Sequence, residues 1–465
     1  MTQDSQNAKP TAAEEKKLAY YEAGQWTLVR RRFGRHKVAV WMFWVVVLLY
    51  LLCLNCEFFA PYDPNDVHKE CVNMPPQVVH FGPAPYVNAV IRKTDPATLR
   101  RQYVSDTTRR APLRFFVRGR PWHFLGLFQT RLHLFGLDPE PVLVGTGADQ
   151  APLTATITSG PDRSGNQYTH VQFFAPGLDL ADLRPGDLIR VLGSAGNGQD
   201  LRIAAVNRAE DSCRLQSGPA SPLDRPVPVS LWRPRQAFLL GTDSIGQDVF
   251  SRILYGGRIS LSIGFIGVAI SFILGIAMGG LSGYFGGRVD MFIQRFAELL
   301  QSIPHIPIWL AMAYAIPKEW TSLQVYFIMT LILACMGWTG LCRTVRGKLL
   351  ALREEDYARA ALLAGATERR VIFVHLVPNF ASHLIASVTL AIPGMILAET
   401  SLSFLGLGLR PPVVSWGVLL QQANKPSVVS SQPWLLLPAG MVVLAVLAFN
   451  FVGEGLRDAA DPYST

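Results

Sequence analysis

Residues 354–379 read Glu354-Glu355-Asp356-Tyr357-Ala358-Arg359-Ala360-Ala361-Leu362-Leu363-Ala364-Gly365-Ala366-Thr367-Glu368-Arg369-Arg370, running on to His375-Leu376-Val377-Pro378-Asn379. The stretch is charged and lies between two long apolar segments, so it reads as a loop-sized polar excursion between membrane spans. Ala358, Ala360, Ala361 and Ala364 favour a short helix, and acidic residues stand before its first turn, as the helix dipole prefers. Gly365 is the expected stop of that helix, and Thr367 the expected cap of a second one. A helix surfaced by Ala360, Ala361, Ala364 and Gly365 can be approached closely by another chain. Glu355, Asp356, Arg369 and Arg370 offer polar contacts at the rim. The expected shape is a plug for a groove on a soluble partner.

The stretch resembles the cytoplasmic coupling loop of permease subunits in ABC importers. In that loop a Glu-Ala-Ala triplet precedes a Gly by three intervening residues, and a Leu-Pro follows. Here the triplet is Arg359-Ala360-Ala361, the Gly is Gly365, and Val377-Pro378 stands in place of Leu-Pro. Further motifs agree in order: Leu240-Gly241-Thr242-Asp243, Gly246-Gln247-Asp248-Val249, Gly283-Tyr284-Phe285-Gly286-Gly287, Leu402-Ser403-Phe404-Leu405-Gly406, Ser415-Trp416-Gly417 and Gly455-Leu456-Arg457-Asp458. Together they resemble the second membrane subunit of the dipeptide/oligopeptide-type permease. The resemblance implies an all-α polytopic membrane protein with six transmembrane helices of the type I importer kind. It implies that Glu355, Asp356, Tyr357, Arg359, Ala360, Ala361, Gly365, Ala366, Arg369, Arg370, Pro378 and Asn379 form the contact to an ATPase subunit. Its implied partners are a second permease subunit, one or two cytoplasmic ATPase subunits and an extracytoplasmic solute-binding protein. ATP and Mg would sit on the ATPase partners, leaving no cofactor and no catalytic residue in this chain. The implied location is the bacterial cytoplasmic (inner) membrane.

Composition points the same way. The chain has 465 residues, 49% hydrophobic and 17% charged, with the apolar residues clustered rather than periodic. Its net charge of +9 reads as Lys and Arg flanking the spans on one side, not as a nucleic-acid surface. Cys53, Cys56, Cys335 and Cys342 lie in or beside apolar spans, as small core residues. Cys71 and Cys213 fall in a large polar region and are candidates for one disulfide if it is extracytoplasmic.

Basic residues Arg30 to Arg32, Arg35 and Lys37 precede an apolar run at 38–54, which reads as a retained anchor with a cytoplasmic N-terminal segment, 1–37. A first membrane segment at 38–60 leads to an extracytoplasmic region, 61–237. Within it, residues 115–136 are aromatic and basic, either lying along the membrane surface or packing on the spans. Short β-rich runs at about 141–225 predict a small barrel or sandwich. The core, 238–465, carries spans two to six, at about 259–281, 291–316, 325–340, 382–405 and 434–452, with both termini cytoplasmic.

Gly267, Ser271, Gly275, Gly279, Gly283 and Gly287 recur every four residues, a spacing that lets helices approach in lipid. The contact is either within this subunit or with a partner permease. Intramembrane polar residues mark pathways or helix contacts. Glu298, His305 and Glu399 are the candidate pathway residues, Glu399 equally able to bond a neighbouring helix. No G-x-x-x-x-G-K-[ST] occurs, so ATP hydrolysis by that route belongs elsewhere. Two rival readings are a secondary transporter or channel working alone, and a membrane-anchored extracytoplasmic binding or assembly module.

Overall fold

The computed structural model describes residues 25–82, 84–94, 101–124, 128–137, 140–141, 154–161, 167–174, 187–191, 200–207, 212–215, 223–233, 236–317 and 319–460. The chain divides into two units: a helical one (Met1–Pro76, His123–Phe128, Leu240–Thr465) and a strand one (Gln77–Trp122, Gln129–Leu239).

The helical unit contains α1 (Gln25–Phe33), α2 (Lys37–Leu54), α3 (Val249–Phe285), α4 (Gly287–Ser302), α5 (His305–Tyr314), α6 (Ser322–Leu352), α7 (Asp356–Leu363), α8 (Ala381–Phe404), α9 (Trp416–Gln422) and α10 (Leu437–Ala460). Among the described residues, five helices are long and apolar enough to cross a membrane: Lys37–Leu54, Val249–Phe285, Ser322–Leu352, His383–Phe404 and Pro433–Ala460.

The expected third span, 291–316, is not one of them. It is divided into α4 and α5, with Ile303 extended (φ −94°, ψ 130°) and Pro304 at the break. Proline lacks an N–H to continue the ladder and pushes the residue before it out of the helical region, so the two-part course follows from Ile303-Pro304. Helix α3 departs in the other direction. Its 37 residues span about 55 Å at 1.5 Å per residue, well beyond an apolar layer of about 30 Å. It therefore takes in residues 249–258, which the sequence placed outside the span. Asp248 sets its start by accepting the Ser251 N–H at 2.8 Å.

The small-residue stripe of α3 is consumed within the chain. A Cβ at Gly279 would lie 2.6 Å from the Cys342 carbonyl, and one at Gly283 2.9 Å from that of Arg346. Gly275 meets Leu341 and Gly267 meets Met395, while Ser271 donates to the Ala334 carbonyl at 2.8 Å. Helix α3 thus rides directly on the backbone of α6, with α8 beside it. Of the two contacts open from sequence, the one inside this subunit is formed. Leu261, Ile263, Met329, Leu333, Ile396, Trp416 and Phe449 pack the bundle core. Close packing supplies the attraction here, since lipid offers no water to exclude.

The strand unit holds two sheets. One has the order β1 (Val79–His80), β2 (Tyr86–Thr94), β3 (Arg101–Phe124), β4 (Phe128–Leu137). The other is built from β5 (Glu140–Pro141), β6 (Thr154–Pro161), β7 (Gln167–Phe174), β8 (Leu188–Val191), β9 (Asp200–Asn207), β10 (Ser212–Leu215) and β11 (Leu223–Arg233). Strands β6, β7, β10, β9, β8 and β11 pair antiparallel in that order, and β11 returns to β6, closing a ring. Alternate residues Ala155 and Ile157, Val171 and Phe173, Leu201 and Ile203, Cys213 and Leu215 fill its interior. Cys213 is therefore a core side chain of the barrel, and the structure holds no disulfide between it and Cys71.

Candidate functional site: the coupling loop and the two ends of the bundle

Helix α6 runs out of the apolar region into the polar loop. Arg353 follows it and donates to the carbonyls of Tyr284 (3.1 Å) and Gly283 (3.5 Å), using its cation to satisfy the open end of α3. Helix α7 then lies with Ala358 buried against Val345, Leu349, Val371, Leu376, Phe380 and Leu384. Gly365 ends it with φ +83°, and Thr367 Oγ1 accepts from the Arg370 N–H (3.4 Å) to start the next turn. A π-turn (Val371–Leu376) and a 3-10 turn (Val377–Phe380) carry the chain into α8.

The candidate contact residues divide by this geometry. Ala361 and Ala366 are half-buried and pack on the core beneath the loop. Glu355, Asp356, Tyr357, Arg359, Ala360, Gly365, Arg369, Arg370, Pro378 and Asn379 are exposed. Asn379 Nδ2 donates to the Tyr357 hydroxyl at 3.0 Å, joining the two limbs of the loop. Arg359 bonds Glu354 at 2.6 Å, and Arg353 approaches the same carboxylate at 3.2 Å. The Arg359 contact, then that of Arg353, holds the Glu354 carboxyl below its usual range. Both partners are exposed, so the pair adds little to stability. The most prominent side chain was missed from sequence: Leu363, 90% exposed, with Leu362 beside it. The legible signal was two adjacent leucines just before the glycine that turns the chain, where only one alanine face can be buried.

Glu298, His305 and Glu399 are not brought together. Glu298 is exposed on α4 and pairs with Arg295 at 2.8 Å. His305 is exposed at the start of α5, its ring stacked on Trp309 with centroids 5.7 Å apart. Glu399 is only 1% exposed, and three serine hydroxyls occupy its carboxylate. Those serines come from α3 (Ser260), from its own helix (Ser403) and from the residue before α9 (Ser415).

The Leu240-to-Arg252 motif also has a structural meaning. Asp243 Oδ1 accepts the Ile245 (3.0 Å) and Gln247 (2.8 Å) amides, while Oδ2 takes Arg252 and Gln422 Nε2 (3.2 Å). Thr242 accepts from the Met74 amide at 2.8 Å, and its carbonyl from Trp434 Nε1 at 3.0 Å. This buried knot ties the start of α3 to residues far away in sequence.

At the loop end of α3, Arg346 grips Asp290 with two hydrogen bonds of 2.5 and 2.6 Å, and Ser282 adds a third at 2.5 Å. The Arg346 contact holds the Asp290 carboxyl below its usual range, against the opposing effect of burial. A depressed folded value stabilises above the unfolded pKa of about 3.9 and is lost as pH falls through the folded one. Asp290→Asn is therefore expected to lower stability by about 1 kcal/mol at pH 7, after allowance for partial exposure. Melting curves should show the gap to the unmodified protein narrowing below about pH 4. A constant gap from pH 7 to 3 would refute the charge assignment.

Five membrane-length helices among the described residues define a polytopic membrane protein, with the polar loop of residues 354–379 between two of them. Residues 271–463 match the family described as binding-protein-dependent transport system inner membrane component. Residues 24–76 match the N-terminal TM domain of oligopeptide transport permease C. The oligopeptide transport system permease protein OppC of Haemophilus influenzae is 41% identical over 223 residues, 48% of this chain and 69% of that protein. The dipeptide transport system permease protein DppC of Bacillus subtilis is 38% identical over 223 residues, 48% of this chain and 68% of that protein. A solved chain described as inward facing conformations of the MetNI methionine ABC transporter is 17% identical, with a TM-score of 0.35, over 44% of this chain and 97% of its own. The chain belongs to the binding-protein-dependent permease family, in its oligopeptide/dipeptide group. Residues 77–270 lie outside both family matches.

Proposed function

We infer that this chain is the membrane-spanning permease subunit of an ATP-driven importer, forming with a second permease the path for peptides handed over by a solute-binding protein. ATP is split on separate ATPase subunits, which seat α7 and the Leu363–Gly365 tip in a groove. The observation that carries this is the exposed tip itself, in a chain whose relatives are named oligopeptide and dipeptide permeases. On this reading the chain lies in the bacterial inner membrane, with both termini and the coupling loop in the cytoplasm and residues 61–237 outside it. Glu298 and His305, exposed on α4 and α5, are available to the second permease and the path. Closure of the ATPase pair displaces a rigid loop pinned by Arg353 and Ala358, and the spans move with it.

The test is reconstitution in proteoliposomes with the neighbouring permease, ATPase and binding-protein subunits. ATP-dependent uptake of peptide, lost when any subunit is left out, is the expected result. Leu363→Ser should alter thermal stability by no more than about 0.5 kcal/mol, because the side chain meets solvent. It should lower uptake about tenfold through a lost contact near 1.4 kcal/mol. Uptake that proceeds without ATPase subunits would overturn the reading.

A further inference from the structure

Three serine hydroxyls converge on one buried carboxylate. Glu399 Oε1 accepts from Ser403 (2.8 Å) and Ser415 (2.7 Å), and Oε2 from Ser260 (3.0 Å). Each serine oxygen in turn accepts a backbone N–H: Leu409 on Ser403 (3.2 Å), Val418 on Ser415 (3.2 Å) and Trp416 on Ser260 (3.1 Å). The hydroxyl protons are thereby directed at the carboxylate, whose four lone-pair sites suit acceptance without donation. All three amides belong to residues 405–422, between α8 and the end of α9. The carboxylate thus fastens that segment at three points, using serines from α3, from α8 and from the segment. Trp416, wholly buried in the bundle core, adds a fourth tie from its indole N–H to the Ile253 carbonyl at 3.0 Å.

Glu399 lies 18 residues beyond the start of α8 at Ala381, about 27 Å along the helix axis. The same helix begins in the coupling-loop core, where Phe380 and Leu384 pack with Ala358. Between the two ends stands Pro393, inside the helix, followed by Gly394, where an added Cβ would meet nothing. Proline removes a ladder hydrogen bond and permits a bend at that point.

We propose that Glu399 is a positioning residue that latches residues 405–422 to the far end of α8, so that movement of the coupling loop reaches that segment through a helix flexing at Pro393-Gly394. The proposal rests on the importer reading, under which the latched segment gates the side where peptide arrives.

Two measurements on the full chain test it. In a Val414→Cys background the new thiol replaces a buried side chain and, followed at that residue by peptide mapping because six native cysteines are also present, should react slowly with a maleimide. Adding Glu399→Gln, or the milder Ser415→Ala, should speed that reaction about tenfold, the effect of one lost hydrogen bond in a buried site. In the reconstituted complex, Glu399→Gln should raise the ATP consumed per peptide imported about tenfold, because hydrolysis no longer moves the gate as a unit. An unchanged labelling rate in both variants would overturn the latch. Uptake and hydrolysis falling in parallel, in proportion to a lowered melting temperature, would reduce Glu399 to a structural tie. If the importer reading fails instead, the unmodified complex takes up no peptide while the labelling difference in the isolated chain remains.

Discussion

Gly365→Val is expected to reach the membrane in normal amount and to lose ATP-driven uptake about a hundredfold, equivalent to roughly 3 kcal/mol. The glycine has φ +83°, and a Cβ at that position would meet nothing within 4 Å. Space is therefore not the constraint; backbone conformation is. An L-residue in the left-handed region costs roughly 1–2 kcal/mol, and a β-branched one more. Valine turns the free loop elsewhere, redirecting Leu363 before it and Arg369 and Arg370 after it, and must take on that strain to dock. A misdirected anchor loses a further 1–2 kcal/mol or so of docking. The core beneath the loop is untouched, so insertion survives. Asparagine tolerates the left-handed conformation, and Gly365→Asn should keep most of the uptake. Vesicle transport normalised to permease content decides the matter, and a fully active valine variant would remove this loop from the mechanism.

Arg252→Ala should be the most damaging single change to the fold, costing about 3–5 kcal/mol. Its guanidinium and the Asp243 carboxylate are both almost wholly buried, and Asp243 also organises two backbone amides and Gln422. Removing the cation leaves a buried anion without its partner, which is worse than removing both charges. Arg252→Met combined with Asp243→Asn should therefore be less harmful than either Arg252→Met or Asp243→Asn alone. The yield of folded protein in detergent and its melting temperature provide the double-mutant cycle. If Arg252→Ala melts with the unmodified protein, the knot contributes nothing.

The loop and most of the helices could be read from the chain because each carried its own local signal. Gly365 and Thr367 bound short helices by backbone geometry, which a single residue type announces. Helix α2 and the spans at 325–340 and 382–405 are contiguous apolar runs, though their ends moved because a helix continues past the lipid wherever its caps permit. The break between α4 and α5 was signalled by Pro304, which holds Ile303 before it in the extended region and so divides the helix. Glu399 could not be assigned from sequence, because its role depends on Ser260 and Ser415 arriving from elsewhere in the chain. The sheet of β1 to β4 was missed altogether. Strand β3 runs from Arg101 to Phe124 through Arg109-Arg110, Pro112 and Phe115-Phe116, and such a run shows no clean alternation of apolar and polar residues. In the barrel, β6 to β9 were visible as alternating runs, while Ser212–Leu215 is too short and Leu223–Arg233 too interrupted by proline to stand out.

The closed ring of strands has a consequence for how such a chain could have arisen. Glu140 lies opposite Arg233 and Thr154 opposite Pro228, so the polypeptide leaves this module beside the point where it came in. An excursion of that kind spans almost no distance, and its host needs no lengthened connection to accommodate it. Among the described residues, strands β6 to β11 each have a partner on both sides, so the ring itself presents no open edge. It has the architecture of a cassette that can be spliced into, or excised from, a transporter at a single seam.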